Sequence, residues 1–94
     1  MRLRYKDHAR DDLESLFEYI AENDAAAAQK VSRIIRAGVD RLLQFPSYGR
    51  GGDVEGTRQF VVAGVPYIVI YEIEDEMITI LRIYHTAQDR PGSR

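Results

Sequence analysis

Two segments in the N-terminal half of the chain carry apolar residues at three- and four-residue spacing. In the first segment these positions begin at Ala9 and include Leu13, Leu16 and Ile20. This spacing places the apolar side chains on one stripe, which is typical of an amphipathic helix packed against a core. We therefore predict that the first segment forms a helix with one buried face.

A second apolar stripe runs from Ala27 to Leu42, with polar residues between its members. Asp24 precedes this stripe and is suited to cap a helix, because its carboxylate can accept a hydrogen bond from a free N–H of the first turn. Pro46 disfavours a helical conformation at Phe45, so the second helix should end there. Only a short polar link separates the two stripes, which predicts an antiparallel helical hairpin.

Strand-like patterns flank this hairpin on both sides. Before it, Leu3 and Tyr5 alternate with arginines, which predicts a short first strand. After it comes a glycine-rich segment, residues 47–53, which we interpret as a loop. Three runs rich in β-branched and aromatic residues follow, at 57–62, 65–73 and 77–83. The order predicts one α+β domain over the whole chain, in which the helical hairpin covers one face of a sheet made from the first strand and a three-stranded antiparallel meander.

The register of the last two strands decides which side chains share a face. A two-residue turn at 75–76 places Ile73 opposite Ile78. If the ladder continues without interruption, Ile68 then lies opposite Ile83. A three-residue loop would reverse the relation between the strands.

The polar residues at the end of the last strand depend on that register. With the two-residue turn, His85 shares the aliphatic face of the strand pair, whereas Arg82 and Tyr84 lie on the other face. A charge deep in an apolar strand is costly unless it is paired. We therefore predict that Arg82 forms a structural ion pair with the first helix, through Asp12 or Glu14.

Composition and charge exclude several classes of protein. The 94 residues have 45% hydrophobic content and contain no cysteine, which excludes a disulfide framework and a thiolate zinc site. The net charge of -2 argues against a general polyanion-binding protein. No apolar run approaches the roughly 20 residues that cross a bilayer, so we expect a soluble, cytoplasmic protein.

Short motifs follow one another through almost the whole chain. They are Ala9-x-x-Asp12-Leu13, Tyr19-Ile20, Phe45-Pro46-x-x-Gly49-Arg50, Gly56-Thr57-Arg58, Tyr67-Ile68-Val69-Ile70-Tyr71 and Ile80-Leu81-Arg82-Ile83-Tyr84-His85. Their order and spacing resemble the RelE/ParE superfamily of toxins from bacterial type II toxin–antitoxin modules. The resemblance implies a growth-inhibiting toxin, also associated with plasmid stabilisation, that a cognate antitoxin protein neutralises in the cytoplasm. It implies no cofactor, no metal and no membrane, and an assembly with the antitoxin that is a heterotetramer or larger.

Two activities occur in the superfamily that the chain resembles. ParE-like toxins poison DNA gyrase through a protein contact, and this is our first hypothesis. The alternative is a RelE-like, metal-free endoribonuclease that cuts messenger RNA on the ribosome. Three departures favour the first hypothesis: Ile68 stands where many RelE-like chains carry an arginine, no lysine lies in the predicted sheet, and no tyrosine follows His85. A decayed toxin that retains only antitoxin binding is a third reading.

His85 and Arg58 are the catalytic candidates if the chain is RelE-like. Imidazole titrates near neutrality, so His85 is suited to act as a general acid or base. Arg58 could neutralise a phosphate. Each also has a structural interpretation, His85 as a strand-end residue bonded to backbone and Arg58 as a surface cation in an exposed ion pair.

The resemblance also suggests two sets of contact residues. Candidates for contact with the target or a phosphate are Arg50, Arg58, Tyr84 and Arg90. Candidates for contact with the antitoxin lie on the two helices and are Leu16, Tyr19, Ile20, Arg33 and Arg36.

Overall fold

The computed structural model describes residues 1–88 of the chain. Its elements, in chain order, are β1 (Arg2–Tyr5), α1 (Asp7–Ala21), α2 (Ala25–Asp40), a single 3₁₀ turn (Arg41–Leu43), β2 (Arg50–Gly51), β3 (Arg58–Val61), β4 (Tyr67–Glu74) and β5 (Met77–His85). The predicted α+β architecture is confirmed. The segment predicted as a loop contains the two-residue strand β2, which pairs with β3 and gives the sheet a fifth strand.

The sheet has the strand order β1-β5-β4-β3-β2. β1 runs parallel to β5, and the other neighbours are antiparallel. Parallel neighbours need a long connection between them, and here everything from α1 to β4 lies between β1 and β5. Within residues 1–88, no helix is both long enough and apolar enough to cross a membrane.

The start of α2 follows the predicted cap, whereas its end at Asp40 comes five residues before the predicted end at Phe45. Asp24 is the N-cap of α2, and its Oδ1 accepts a hydrogen bond of 3.0 Å from the backbone N–H of Ala27. The 3₁₀ turn carries the chain on to Leu43, shortly before the proline at position 46. Both helices bury one stripe against the sheet, in a core cluster that includes Leu13, Leu16, Ile35, Val39 and Leu42 from the helical half and Val69, Tyr71, Ile78, Ile80 and Ile83 from the sheet.

The β4–β5 hairpin has the predicted two-residue turn. Asp75 and Glu76 both have positive φ, 52° and 61°, as a tight hairpin turn of this twist requires. Ile73 lies opposite Ile78, as predicted.

A β-bulge interrupts the ladder farther along the same strand pair. Tyr71 lies opposite Ile80, but the next residue of β4, Ile70, lies opposite Arg82, so Leu81 has no partner in the ladder. One extra residue on one strand reverses the faces of everything beyond it.

The bulge makes the predicted face assignment wrong. His85 lies opposite Tyr67 on the face that the helices cover, while Arg82 and Tyr84 lie opposite Ile70 and Ile68 on the uncovered face. The prediction assumed an uninterrupted ladder, and Leu81 breaks it.

Tyr71 fixes the segment before β2 to the sheet. Its buried hydroxyl donates to the carbonyl oxygen of Pro46 (2.7 Å) and accepts from the N–H of Gly49 (2.9 Å). A Cβ at position 49 would lie 2.8 Å from the Tyr71 ring, so only glycine fits there. Burial raises the pKa of the Tyr71 hydroxyl, and the hydrogen bond from Gly49 and the charge of Arg58 partly offset that rise.

Candidate functional site

One carboxylate of α1 covers the edge of β5 beyond the end of β1. The last backbone hydrogen bond between the two strands runs from the N–H of Lys6 to the carbonyl of Ile80. Farther along, the Oδ2 of Asp12 accepts from the N–H of Ile83 at 2.9 Å. A side chain of the helix therefore takes the place that a strand neighbour would otherwise occupy.

The same carboxylate holds Arg82 in a two-pronged ion pair. The Nε and Nη2 of Arg82 donate to Asp12 at 2.8 and 3.0 Å. The structure thus brings the predicted partners together, although Arg82 starts from the uncovered face and reaches Asp12 at the strand edge. The hydrogen bond to Asp12 is the main cause that raises the pKa of Arg82 above its ordinary value. The side chains are 37% and 15% exposed, so this charge pair is partly shielded from water.

Arg82 also covers an aromatic ring of the same strand. Its Cζ lies 4.8 Å from the centroid of the Tyr84 ring. Tyr84, a sequence candidate for target contact, is only 5% exposed. Its side chain is packed on the uncovered face of the sheet.

A groove of about 440 Å³ lies between α1 and the end of β5, and we call it the end groove. Its lining residues are Asp12, Ser15, Leu16, Tyr19, Tyr67, Ile83, His85 and Gln88. It brings His85 together with two of the helical candidates for antitoxin contact. Leu16 is buried and forms part of the wall, whereas Tyr19 is 73% exposed at the rim.

Hydrogen bonds and ring packing orient His85 in this groove. Its ring meets the Tyr67 ring edge-on, with centroids 5.3 Å apart. Its Nδ1 accepts a 3.0 Å hydrogen bond from the N–H of Ala87, so the neutral ring carries its proton on Nε2. Tyr67 is 7% exposed, and burial, followed by the nearby Tyr19 hydroxyl, raises the pKa of its own hydroxyl.

Arg58 belongs to a different part of the sheet. Its Nη1 donates to the carbonyl oxygens of Gly49 (2.7 Å) and Ser47 (3.4 Å). Arg58 pairs with Tyr71 on one edge of β4, whereas His85 pairs with Tyr67 on the other edge, four residues away along β4 and two strand spacings across. With about 3.3 Å per residue and about 4.8 Å between strands, the two backbone positions are roughly 16 Å apart. The structure does not bring the two catalytic candidates into one site.

The remaining candidates lie away from the end groove and from Arg58, or contribute to neither. Arg50 is exposed in β2 and donates to the carbonyl of Gly51 at 3.3 Å. Arg33 and Arg36 are exposed on α2, and the Arg36 guanidinium lies 5.9 Å from the Tyr5 ring centroid. Ile20 is partly buried against the core. Arg90 lies outside the described residues.

Sequence reasoning did not single out Tyr67 or Gln59. From the sequence, Tyr67 was named only as part of a strand motif, yet its ring packs edge-on against the ring of His85. Gln59 is a buried polar residue of β3, and a glutamine inside an otherwise apolar run was the available signal. Among residues 1–88, no group of histidine and acidic side chains is arranged to hold a metal ion.

Two helices on one face of a five-stranded mixed sheet are the architecture of the RelE/ParE toxins of type II toxin–antitoxin systems. Residues 3–90 match the family described as the ParE toxin of the type II toxin-antitoxin system parDE, and the chain belongs to that family.

Individual relatives agree with this assignment. The chain is 36% identical to Y4kP of Sinorhizobium fredii over 90 residues, covering 96% of this chain and 93% of that one. It is 30% identical to toxin RelE2 of Caulobacter vibrioides over 77 residues, covering 82% of this chain and 85% of that one.

Two solved structures share the fold. The chromosomal ParDE toxin–antitoxin system of P. aeruginosa superposes with a TM-score of 0.81 at 25% identity, covering 90% of this chain and 95% of that one. The RelBE2 toxin–antitoxin complex of Mycobacterium tuberculosis gives a TM-score of 0.52 at 26% identity, with coverage of 89% and 95%.

Proposed function

We propose that this toxin inhibits growth by binding a protein target, with DNA gyrase the target that its ParE family membership suggests. The observation that carries the proposal is the roughly 16 Å between the backbone positions of Arg58 and His85. The two residues that RNA cleavage would need lie on different strands, opposite β4 residues that are four positions apart.

Metal-free cleavage of RNA requires an acid or base and a fixed positive charge around one phosphate. A general acid must lie within about 3 Å of the atom that it protonates. At this backbone separation both side chains would have to extend fully toward each other to meet one phosphate. Arg58 is also engaged by two backbone carbonyls, and Arg82 by Asp12. These two arginines of the sheet are therefore engaged by the fold, which supports action through a protein contact.

The same proposal includes a cognate antitoxin as a partner. The two solved structures that share the fold are of toxin–antitoxin systems, which supports this part of the proposal. The end groove is a suitable contact, because Tyr19 exposes a large aromatic side chain beside it. Aromatic side chains with one apolar and one polar end are well suited to protein interfaces. We expect the antitoxin to form a heterotetramer or larger assembly with this chain.

Induction of the chain in bacteria tests the target. We expect DNA-damage signalling to rise after induction of the native chain and of His85→Ala alike, while reporter transcripts stay intact. The matched variant Arg58→Ala should lose activity only as far as it loses folded protein, which a soluble-fraction assay measures. Prompt, codon-linked cuts in the reporter that disappear in His85→Ala would establish the RelE-like alternative instead.

A further inference from the structure

A second concavity, which we call the sheet groove, lies on the uncovered face of the sheet. It has a volume of about 160 Å³. Ile70 of β4 and Leu81 of the bulge are among its apolar lining residues, with Val54 contributed by the segment before β3. A cavity of about 150 Å³ is known to hold one benzene ring, so the sheet groove has the size of a single aromatic side chain.

One buried polar side chain lines this groove without a full set of hydrogen bonds. Gln59 is only 3% exposed, and its Oε1 accepts from the N–H of Asp53 at 3.2 Å. This bond fixes the amide orientation, because an N–H donor must face the oxygen rather than the nitrogen. In the described part of the chain the Nε2 of Gln59 has no acceptor, and a buried donor in that state is unusual and costly.

The charge at the groove selects a neutral ligand. Arg82 lines the groove, but its Nε and Nη2 are both engaged by Asp12. Asp53 also lines the groove, and its acidic side chain further disfavours an anion there. The buried amide of Gln59 supplies a neutral donor for a ligand. An apolar ring with one uncharged acceptor oxygen complements this arrangement, and a phosphate or carboxylate does not.

We propose that the sheet groove receives the phenol ring of a tyrosine side chain from a protein partner, with the phenol oxygen accepting from Gln59 Nε2. The choice of a protein as the source of the ring rests on the proposed function. The existence of the groove and of its amide donor is independent of that function.

Solution NMR with side-chain analogues tests the proposal directly. The probes are p-cresol for tyrosine, toluene for phenylalanine and uracil for an RNA base, each titrated into the native chain. We expect p-cresol to bind about five-fold more tightly than toluene, the value of one neutral hydrogen bond, and to shift the side-chain amide signals of Gln59. Uracil should not bind, because the apolar walls leave its polar edges without partners. Equal affinities for p-cresol and toluene, or binding of uracil, would overturn the proposal.

Two variants separate binding in the groove from a change in fold. Gln59→Leu should remove the preference for p-cresol, and Leu81→Trp should fill the groove and abolish binding of both rings. Thermal melts and amide spectra identify the variants that remain folded. If p-cresol still binds to a folded Leu81→Trp chain, the sheet groove is not its binding site. Toxicity of the native chain is measured separately, so a failure of the proposed function and a failure of the groove give different results.

Discussion

The two halves of β5 lie on either side of Leu81 and are held by different neighbours. The first half, Met77 to Ile80, forms regular ladders with β1 on one edge and β4 on the other. The second half, from Arg82 to His85, keeps β4 on one edge, but Asp12 of α1 covers the other. One inserted residue therefore changes which side chains face the core, and one helical carboxylate covers the strand edge beyond it.

Deletion of Thr79 should have the largest effect, because it lies in the regular half. Removing one residue there shifts Ile78 to the uncovered face if the bulge is kept, or Ile80 if the ladder closes over Leu81, and both are fully buried core residues. Loss of one such aliphatic residue costs about 2–5 kcal/mol, a large part of the roughly 5–15 kcal/mol that stabilises a typical domain. We expect cooperative thermal unfolding, followed by circular dichroism, to be lost.

Deletion of Leu81 is the matched control in the other half. Without the bulge, Ile80 still lies opposite Tyr71 and Arg82 opposite Ile70, so no core residue changes face. We expect a folded chain destabilised by about 1 kcal/mol, a common cost of a single change. If the two deletions destabilise the chain equally, the bulge does not separate two independent registers.

Asp12→Ala should have the next largest effect. It leaves the Arg82 charge without its partner and the N–H of Ile83 without an acceptor, at a cost of about 2 kcal/mol in the free energy of unfolding for a partly exposed pair. Urea unfolding measures this change. The control is Asp11→Ala, an exposed neighbour that should cost less than about 0.5 kcal/mol. Equal values for the two variants would contradict a stabilising role of the Asp12 carboxylate.

Tyr71→Phe tests the hydrogen bonds of Tyr71, the β4 residue that lies opposite Ile80 in the regular half of β5. The variant leaves the ring in place but removes the donor to Pro46 and the acceptor for Gly49, which should cost about 1.5 kcal/mol. The control is Tyr48→Phe, since Tyr48 is exposed and should lose almost nothing.

The pKa of Tyr71 adds a pH dependence to the same variant. Because the folded-state pKa is raised, the unfolded tyrosine, with a pKa near about 10, loses its proton first. The contribution of Tyr71 to stability is therefore complete below about pH 10 and is lost as the pH rises farther. Urea midpoints from pH 8 to 11 should fall less steeply for Tyr71→Phe than for the native chain. Identical slopes would contradict the burial of this hydroxyl.

Much of the fold could be predicted because local patterns agree with the tertiary structure. The stripe that begins at Ala9, the cap at Asp24 and the tight turn at residues 75–76 each act over a few residues. The two-residue strand β2 could not be predicted, because its pairing depends on β3 and on the anchor that Tyr71 provides.

The candidate site was harder to predict for a specific physical reason. No glycine or proline marks the bulge at Leu81, so nothing in the sequence signals the change of face before His85. The end groove also depends on how α1 passes along the strand edge, which brings Tyr19 near His85. Such contacts between distant segments have no local signature in the sequence.

The central claim is that the toxin acts by protein contact without a catalytic histidine. Inhibition of gyrase-driven DNA supercoiling by the purified chain tests it most directly, with His85→Ala assayed beside the native protein at matched folded concentration. We predict that both inhibit supercoiling to the same extent, within about two-fold, because the change removes an exposed side chain at the end of a strand. An unaffected gyrase, together with cleavage of ribosome-bound message that depends on His85, would contradict the claim.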